Sequence, residues 1–297
     1  MLQSPAMADM HLSGLDHVVI LVRDLDRAAR SWESIGFTLA PRGLHSAAKG
    51  TANFTIILGP DYLELLGIVA ETAMNAGDRA ALARDGEGLD RAALRTDDAA
   101  LGLAAARARG DRAEGPQSFE RPVALPGGGT ARAAFRTFEW APETAPAGLR
   151  LFACEHQTPE TVWLPELQDH ANGARAILSV EAIAPDPENA ARACAGLLAA
   201  EMVAAGEGVC AVPTGADRGR FLFLSPAAFA ARYPAILLER CRARGAAALV
   251  LATADLETAA RATGVAPDAA GRVVVPPERA TGTVLVFQSD GPLRSAP

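Results

Sequence analysis

The clearest hydrophobic pattern in the chain lies in residues 15–68. Apolar residues occupy successive positions between His17 and Val22, which predicts a strand that is buried on both faces. Asp24 fits a helix N-cap, apolar residues then recur at helical spacing, and Gly36 is suited to end the helix. Shorter apolar runs follow and are predicted as strands, at 37–39, 54–58 and 62–69. The segment is therefore predicted to form a βαβββ unit.

The same order of signals recurs three more times along the chain. A strand pattern, an aspartate, a helix pattern and a glycine follow one another around Asp24, Asp98, Asp186 and Asp255. Repetition at four places predicts four βαβββ units, which span residues 13–70, 88–157, 175–225 and 246–289. The expected fold class is α+β, built from paired βαβββ modules.

The four units are expected to form two domains, and 297 residues are enough for two hydrophobic cores. The first domain is predicted at 13–157 and the second at 175–290. A connector at 158–174, punctuated by proline and glycine, separates them. Residues 1–12 are expected to be a disordered tail. A second connector, 226–244, is predicted to contain a helix over 233–244.

Composition narrows the classes of function. A formal net charge of −7, without a block of basic residues, argues against a nucleic-acid or anionic-membrane partner. Lysine is nearly absent, and the basic residues are almost all arginine. The cysteines lack a CxxC pair, which favours reduced thiols, and no signal peptide or membrane span is recognised. A cytoplasmic location is expected.

Two chemistry-bearing residues lie on the first and last predicted strands of the first unit. His17 precedes the capping Asp24 by seven residues, and its parity mates face away from the helix. Glu64 lies within an otherwise apolar strand, where an unpaired carboxylate is costly. It therefore needs a partner, either a metal ion or an arginine. Nitrogen and oxygen ligands on rigid strands suit a divalent cation.

The same offset locates the counterparts of His17 in the other units. Counting seven residues back from each capping aspartate gives Arg91, Ser179 and Ala248. The closing strand of the second unit offers Glu155 or His156, whereas that of the fourth is apolar near Val286. Only the first domain is therefore expected to hold a site, and the second domain is expected to be degenerate.

Several short motifs resemble the vicinal oxygen chelate superfamily, which includes glyoxalase I, bleomycin-resistance proteins and extradiol dioxygenases. They are LDHVVILVRDL at 15–25 and YLELLG at 62–67. The motifs GTAN at 50–53, HQTPE at 156–160 and HANGA at 170–174 resemble a glyoxalase-like subgroup. The resemblance implies two glyoxalase-like domains, each with two modules that close a half-barrel sheet.

The resemblance also implies a divalent metal ion held by the first and last strands of a domain. Its ligands here would be His17, Glu64 and His156, with Glu155 as the alternative to His156. The metal could be Zn, Fe, Mn, Ni or Mg. Arg91 stands where the superfamily has a second histidine, and an arginine cannot ligate a metal.

Two interpretations of this half-site stay open. In one, the metal is bound, Arg91 orients a substrate anion, and His45 acts as a general base or substrate contact. In the other, no metal is bound, Arg91 pairs with Glu64, and the pocket binds a small molecule without chemistry.

The first interpretation predicts a metal-dependent enzyme of glyoxalase-like type. It would act on a small oxygen-rich substrate by bidentate chelation and enolate stabilisation, as an isomerase or lyase. The alternatives are a ring-cleaving dioxygenase and a non-catalytic binding protein of the same fold. The expected partner is a small-molecule substrate, either neutral or anionic. The chain is expected to be a monomer or a homodimer.

Overall fold

The computed structural model describes residues 5–125, 127–215, 217–242 and 245–289, which form two mixed β-sheets. The strands of the first sheet are β1 Leu12–Val22, β2 Gly43–Leu44, β3 Thr51–Ile57, β4 Tyr62–Ile68, β5 Gly88–Thr96, β6 Ala113–Ala124, β7 Thr130–Trp140 and β8 Arg150–His156. Those of the second are β9 Ala174–Ile183, β10 Val203–Ala204, β11 Val209–Pro213, β12 Arg220–Leu224, β13 Ala246–Thr253, β14 Arg272–Val275 and β15 Val284–Ser289. The predicted α+β class is thereby confirmed.

Each sheet is built from two modules that meet at its centre. In the first sheet β1 pairs antiparallel with β5, β1 pairs parallel with β4, and β5 pairs parallel with β8. The second sheet repeats this pattern around its central pair, β9 and β13. The repeat places the first and last strands of each module side by side.

The helices are α1 Pro5–Asp9, α2 Leu25–Glu33, α3 Ala76–Asp85, α4 Ala99–Ala108, α5 Pro187–Leu198, α6 Pro226–Arg232 and α7 Leu256–Thr263. The four predicted capping aspartates are N-caps, and each accepts a hydrogen bond from a backbone N–H of the first turn: Asp24, Asp98, Asp186 and Asp255. An aspartate there satisfies a donor that the helix leaves free and favours the helix dipole. This local chemistry explains why the four repeats could be recognised.

One hydrophobic core joins the two sheets on their helix-bearing sides. Val18 and Ile20 of β1, Val180 of β9 and Phe287 of β15 belong to the same buried cluster. Trp32 of α2 is fully buried in it, and its indole N–H donates to Thr281 Oγ1 at 2.9 Å. The face of the first sheet that points away from these helices is left for a cavity.

The corresponding face of the second sheet is filled by its own chain. Phe229, Tyr233 and Leu237, from α6 and the 3₁₀ turn Ala235–Arg240, pack against it in a second buried cluster. Glu181 is completely buried there and accepts from the Tyr233 hydroxyl at 2.7 Å and from the Arg232 guanidinium at 2.9 Å. This segment occupies the space that a ligand would need.

Tyr233→Phe is expected to destabilise the protein by about 1–3 kcal/mol, because it removes a hydrogen bond to a buried carboxylate. Tyr62→Phe is the matched control, since the Tyr62 hydroxyl makes no hydrogen bond with a residue that the structure describes. Urea denaturation of both variants measures the difference. Equal stability of the two would show that Glu181 does not depend on the phenol.

Three predictions of local structure were wrong, and one helix was missed. The expected tail at 1–12 contains α1, and Met7 and Met10 are 1% exposed because they pack into the core. Residues 37–39 form no strand. The predicted helix over 233–244 is instead the 3₁₀ turn Ala235–Arg240, and residues 243–244 lie outside the described part. Finally, α3 was not predicted, because its apolar residues lack a clear helical stripe.

No helix within the described residues is both long enough and apolar enough to cross a membrane.

Candidate functional site

A cavity of about 450 Å³ lies on the face of the first sheet that is turned away from α2 and α4. Both modules contribute to its walls, through side chains on seven strands and on the segments around β2 and α3. Its polar wall includes His17, Asn53, Glu64 and Arg91, and its aromatic wall includes Phe119 and Phe152. The parity argument from the sequence is supported at His17, since Val19 also lines the cavity whereas Val18 and Ile20 lie in the core.

His17 is oriented by the residue before it. Its Nδ1 lies 2.7 Å from Oδ2 of Asp16, which is completely buried. Burial alone would raise the pKa of Asp16, but the charges and hydrogen bonds of His156 and His17 hold that pKa well below its usual range. An ionised carboxylate only accepts hydrogen bonds, so Nδ1 carries the proton. The lone pair of neutral His17 is therefore on Nε2.

Glu64 faces that nitrogen. Its Oε2 lies 3.9 Å from His17 Nε2, and its Oε1 accepts from the Asn53 side-chain amide at 2.7 Å. Burial alone would raise the pKa of Glu64, but nearby His45 and His17 and the hydrogen bond from Asn53 lower it. The carboxylate is therefore ionised at neutral pH, and one of its oxygens is held in place by Asn53.

The second module does not supply matching ligands. Strand register pairs His17 with Tyr62 and Val19 with Glu64. In the second module it pairs Arg91 with Arg150 and Ala93 with Phe152. The counterpart of Glu64 is thus Phe152, and neither Arg91 nor Phe152 can ligate a metal.

Arg91 is held by ion pairs with acidic neighbours. Its guanidinium forms ion pairs with Asp78 of α3 and with Asp90, the latter at 3.0 Å. The pairing of Arg91 with Glu64, which the second interpretation of the half-site expected, is not formed. Arg91 lines the cavity, but its guanidinium is already held in ion pairs with two carboxylates, both of which Arg150 shares.

His156 and Glu155 point in opposite directions. Glu155 accepts from the backbone N–H of Ala99 at 2.9 Å and so caps α4 on the other face, which removes it as a ligand. His156 donates from Nε2 to Asp16 Oδ2 at 2.7 Å, and its Nδ1 is buried without a hydrogen-bond partner among the described residues. His156 therefore supports Asp16 from behind the cavity wall, and it does not join His17 and Glu64.

A second group of donor atoms lies behind His17. One ligand atom each from Asp16, Cys154 and His156 lie within 4.8 Å of one another. Asp16 and His156 already form a hydrogen bond with each other, and burial raises the pKa of the Cys154 thiol well above its ordinary value. The protonated thiol and the hydrogen bond between Asp16 and His156 favour the interpretation of this group as a polar network over that of a metal site.

His45 lines the cavity as a neutral ring. Its Nδ1 lies 2.7 Å from the Thr51 hydroxyl. Burial lowers the pKa of His45 to about 4, against the opposing effect of Glu64. A neutral imidazole at pH 7 can accept a proton from a bound molecule.

The donor set at His17 and Glu64 fits a divalent ion. A histidine that donates from one nitrogen to a carboxylate presents the other nitrogen in the arrangement common among metal-ligating histidines. An anionic oxygen faces this nitrogen, so the pair offers one nitrogen and one oxygen ligand. Arg91, Phe152 and Glu155 do not supply a third protein ligand. The remaining coordination positions of the metal would therefore be left to substrate or water.

Several residues of this site were missed by sequence reasoning. Asp16 was read only as part of a strand, although an aspartate beside a strand histidine is a signal for an orienting carboxylate. Asn53 is the last residue of the GTAN motif, and nothing in that motif indicates that its amide donates to Glu64. Asp78 lies on α3, which was not predicted, so its pairing with Arg91 had no sequence signal.

Comparisons with known proteins agree with this architecture. The sequence model of a family described as glyoxalase-like domain matches residues 15–198. A comparison with curated proteins found no match. A hypothetical protein from Staphylococcus aureus has 12% identity and a TM-score of 0.67, over 93% of this chain and 98% of that one.

Two further solved structures share the fold. A variant of 4-hydroxymandelate synthase from Streptomyces coelicolor has 14% identity and a TM-score of 0.58, over 94% of each chain. A xylose isomerase-like TIM barrel/4-hydroxyphenylpyruvate dioxygenase fusion protein has 15% identity and a TM-score of 0.59, over 97% of this chain and 49% of that one. At these identities the likeness shows the fold alone. The family match over residues 15–198, more than half of the chain, means that the chain belongs to the glyoxalase-like domain family.

Proposed function

We propose that the chain is a metal-dependent enzyme that acts on a small oxygen-rich substrate in the cavity of the first sheet, as an isomerase or lyase. The observation that carries the proposal is the facing pair of His17 Nε2 and Glu64 Oε2, 3.9 Å apart on a cavity wall. His17 and Glu64 would be the protein ligands of the metal. This set revises the predicted one, because His156 bonds to Asp16 and Glu155 caps α4.

The residues around the pair would each have a defined part. Asp16 keeps the proton on His17 Nδ1, and Asn53 fixes one oxygen of Glu64. A bound divalent ion would polarise two vicinal substrate oxygens and so acidify the adjacent C–H bond. His45, neutral at pH 7, would take that proton on its ring.

The polar lining of the cavity favours chemistry over passive sequestration. Charged and hydrogen-bonding side chains line it beside the aromatic ones, and an ionised carboxylate such as Glu64 is costly to bury without a role. The filled face of the second sheet limits the proposal to the first sheet.

The test is metal-dependent exchange of a substrate proton for deuterium. Small α-hydroxy ketones and 2-hydroxy acids in D₂O, followed by NMR, report abstraction of the C–H proton without a known product. Glu64→Gln is expected to lower the exchange rate by roughly 100-fold or more, because it removes an anionic ligand. Glu139→Gln, which changes an exposed carboxylate lining the same cavity, is the control and should leave the rate unchanged.

Two results would count against this function. One is exchange that is equally fast with and without a divalent metal ion. The other is a Glu64→Gln variant as active as the Glu139→Gln control.

A further inference from the structure

A second charged region of the cavity is not explained by the His17–Glu64 pair. It consists of Lys49, in the loop before β3, and Arg121, on β6, and both side chains line the cavity. Arg121 is 9% exposed. Within the described residues, neither side chain has a carboxylate inside ion-pair distance or a hydrogen-bond partner.

The contrast with Arg91 shows why this matters. Arg91 lines the same cavity but is paired with Asp78 and Asp90. The nitrogen atoms of Lys49 and Arg121 are not among the fully buried atoms without a partner, so both cations face the cavity with no carboxylate of the described residues beside them. An anion bound there would compensate for the hydration that burial removes. Glu64 feels the charge of Arg121, which lowers its pKa, but it lies beyond 4.0 Å from that guanidinium.

Both cations are held in place by the surrounding structure. The Lys49 ammonium lies 3.4 Å from the centre of the Phe119 ring, a cation–π contact. The Lys49 carbonyl accepts from the Asn75 side-chain amide at 2.9 Å, which ties the loop to the segment before α3. Lys49 is also the sole lysine among 28 lysine and arginine residues.

The Arg121 guanidinium lies close to the backbone of Gly43, where a residue with a Cβ would collide with its neighbours. A Cβ at Gly43 of β2 would lie 2.8 Å from Arg121 Nη1 and 2.4 Å from Asn53 Oδ1, closer than side-chain carbons approach. Asn53 Oδ1 is itself buried and lacks a partner among the described residues. Gly43 therefore leaves room for the guanidinium beside the residue that orients Glu64.

We propose that Lys49 and Arg121 form an anion subsite that binds the carboxylate or phosphate group of an organic substrate, with the apolar part of that substrate against Phe119. Phe119 stacks on Phe135 with ring centres 5.2 Å apart, which provides an apolar wall beside the two cations. The subsite replaces Arg91 as the anion contact. This proposal shares one assumption with the proposed function, namely that the substrate binds in this cavity.

The test compares an anionic probe with its neutral isostere in metal-free protein. Isothermal titration with 3-phenyllactate, phenyl phosphate and 3-phenyllactamide measures affinity without requiring turnover. The wild-type protein is expected to bind at least one anion about 10- to 100-fold more tightly than the amide, as charge-assisted hydrogen bonds allow. The tighter of the two anions distinguishes a carboxylate from a phosphate subsite.

Variants distinguish binding at Lys49 and Arg121 from a nonspecific attraction of anions to positive charge on the protein. Lys49→Met and Arg121→Gln are each expected to remove most of the preference for the anion, with folding verified by circular dichroism. Arg132→Gln, on the neighbouring strand and paired with exposed Glu120, is the control and should keep it.

Labelling gives an independent measurement, because Lys49 is the sole lysine. Trinitrobenzenesulfonate should modify Lys49 more slowly when the bound anion is present, as read by peptide mass spectrometry. The proposal is overturned if the amide binds as tightly as both anions, if no probe binds at millimolar concentration, or if the preference survives in both variants. Loss of the metal-dependent exchange alone would overturn the proposed function and leave this subsite standing.

Discussion

Replacing Asp16 with asparagine is expected to lower the free energy of unfolding by about 3–5 kcal/mol at pH 7. The Asp16 carboxylate is fully buried and accepts hydrogen bonds from His17, His156 and Arg95, each at 2.7 Å. An asparagine side chain has one acceptor oxygen, so buried donors would lose their partner. After the same change, no carboxylate would keep the proton of His17 on Nδ1. The substitution is therefore expected to weaken metal binding as well.

The effect of Asp16→Asn should depend on pH in a defined direction. The pKa of Asp16 in the folded protein is well below its ordinary value, because His156 and His17 outweigh the effect of burial. A carboxylate of this kind stabilises the fold above its unfolded pKa of about 3.9, and that stabilisation disappears as the pH falls through the folded pKa. The difference from wild type should be full at pH 7 and should shrink below about pH 4.

Urea denaturation between pH 3 and pH 8 measures this dependence. Asp97→Asn is the matched control, because Asp97 pairs with His11 at the surface and its side chain is 77% exposed. A surface pair contributes little, so this variant should stay close to wild type at every pH. A loss for Asp16→Asn no larger than that of the control would contradict the role of Asp16.

Replacing Asp61 with asparagine is expected to have the opposite effect and to stabilise the protein at neutral pH. Asp61 lies in the turn between β3 and β4, and both of its carboxylate oxygens lie 3.1 Å from the backbone N of Ile177 in β9. Burial raises the pKa of Asp61 to about 7. An asparagine can accept from the Ile177 N–H without the cost of a buried charge.

The sign of this effect follows from the raised pKa. Below about pH 4 the carboxyl is protonated in both states and carries no penalty. As the pH rises to about 7, the unfolded chain loses the proton first, so wild-type stability declines. A shift of roughly three pH units corresponds to at most about 4 kcal/mol, which Asp61→Asn should recover at pH 8.

Denaturation of Asp61→Asn at pH 4 and pH 8 checks the prediction. Asp217→Asn changes an exposed aspartate beside Arg218 and should show no such gain. If Asp61→Asn is no more stable than wild type at pH 8, the charge of Asp61 is compensated in the folded state.

Much of the fold could be predicted because its signals are local. Asp24, Asp98, Asp186 and Asp255 each cap a helix through contacts within three residues, so the repeat is visible in the sequence. The placement of His17 on the cavity face followed from strand parity alone. The domain boundaries at 13–157 and 175–290 remain a prediction.

The rest depends on contacts between distant segments. Arg91 pairs with Asp78 of a helix that has no clear apolar stripe, so this ion pair could not be foreseen. The choice between Glu155 and His156 required knowing that Glu155 faces the start of α4. Tyr233 belongs to a connector and packs against one face of the second sheet. The hydrophobic pattern of this connector does not indicate which surface the connector covers.

The two halves of the chain show how one architecture can keep or close a cavity. Ser179 stands at the offset of His17, but its hydroxyl donates to buried Glu181, which Tyr233 and Arg232 also satisfy. In the first sheet the corresponding face keeps Glu64 opposite His17 and open to a ligand. The second sheet thus acts as a structural partner through the shared core.

Titration of metal-free protein with divalent ions tests the central claim most directly. Calorimetry with Zn²⁺, Mn²⁺, Ni²⁺ and Fe²⁺ under anaerobic conditions is expected to show one site per chain for at least one ion. That site should be lost in His17→Ala and Glu64→Gln but kept in Cys154→Ser, which alters only the neighbouring donor group. No saturable binding to the wild-type protein, or unchanged binding in His17→Ala, would contradict a metal centre at His17 and Glu64.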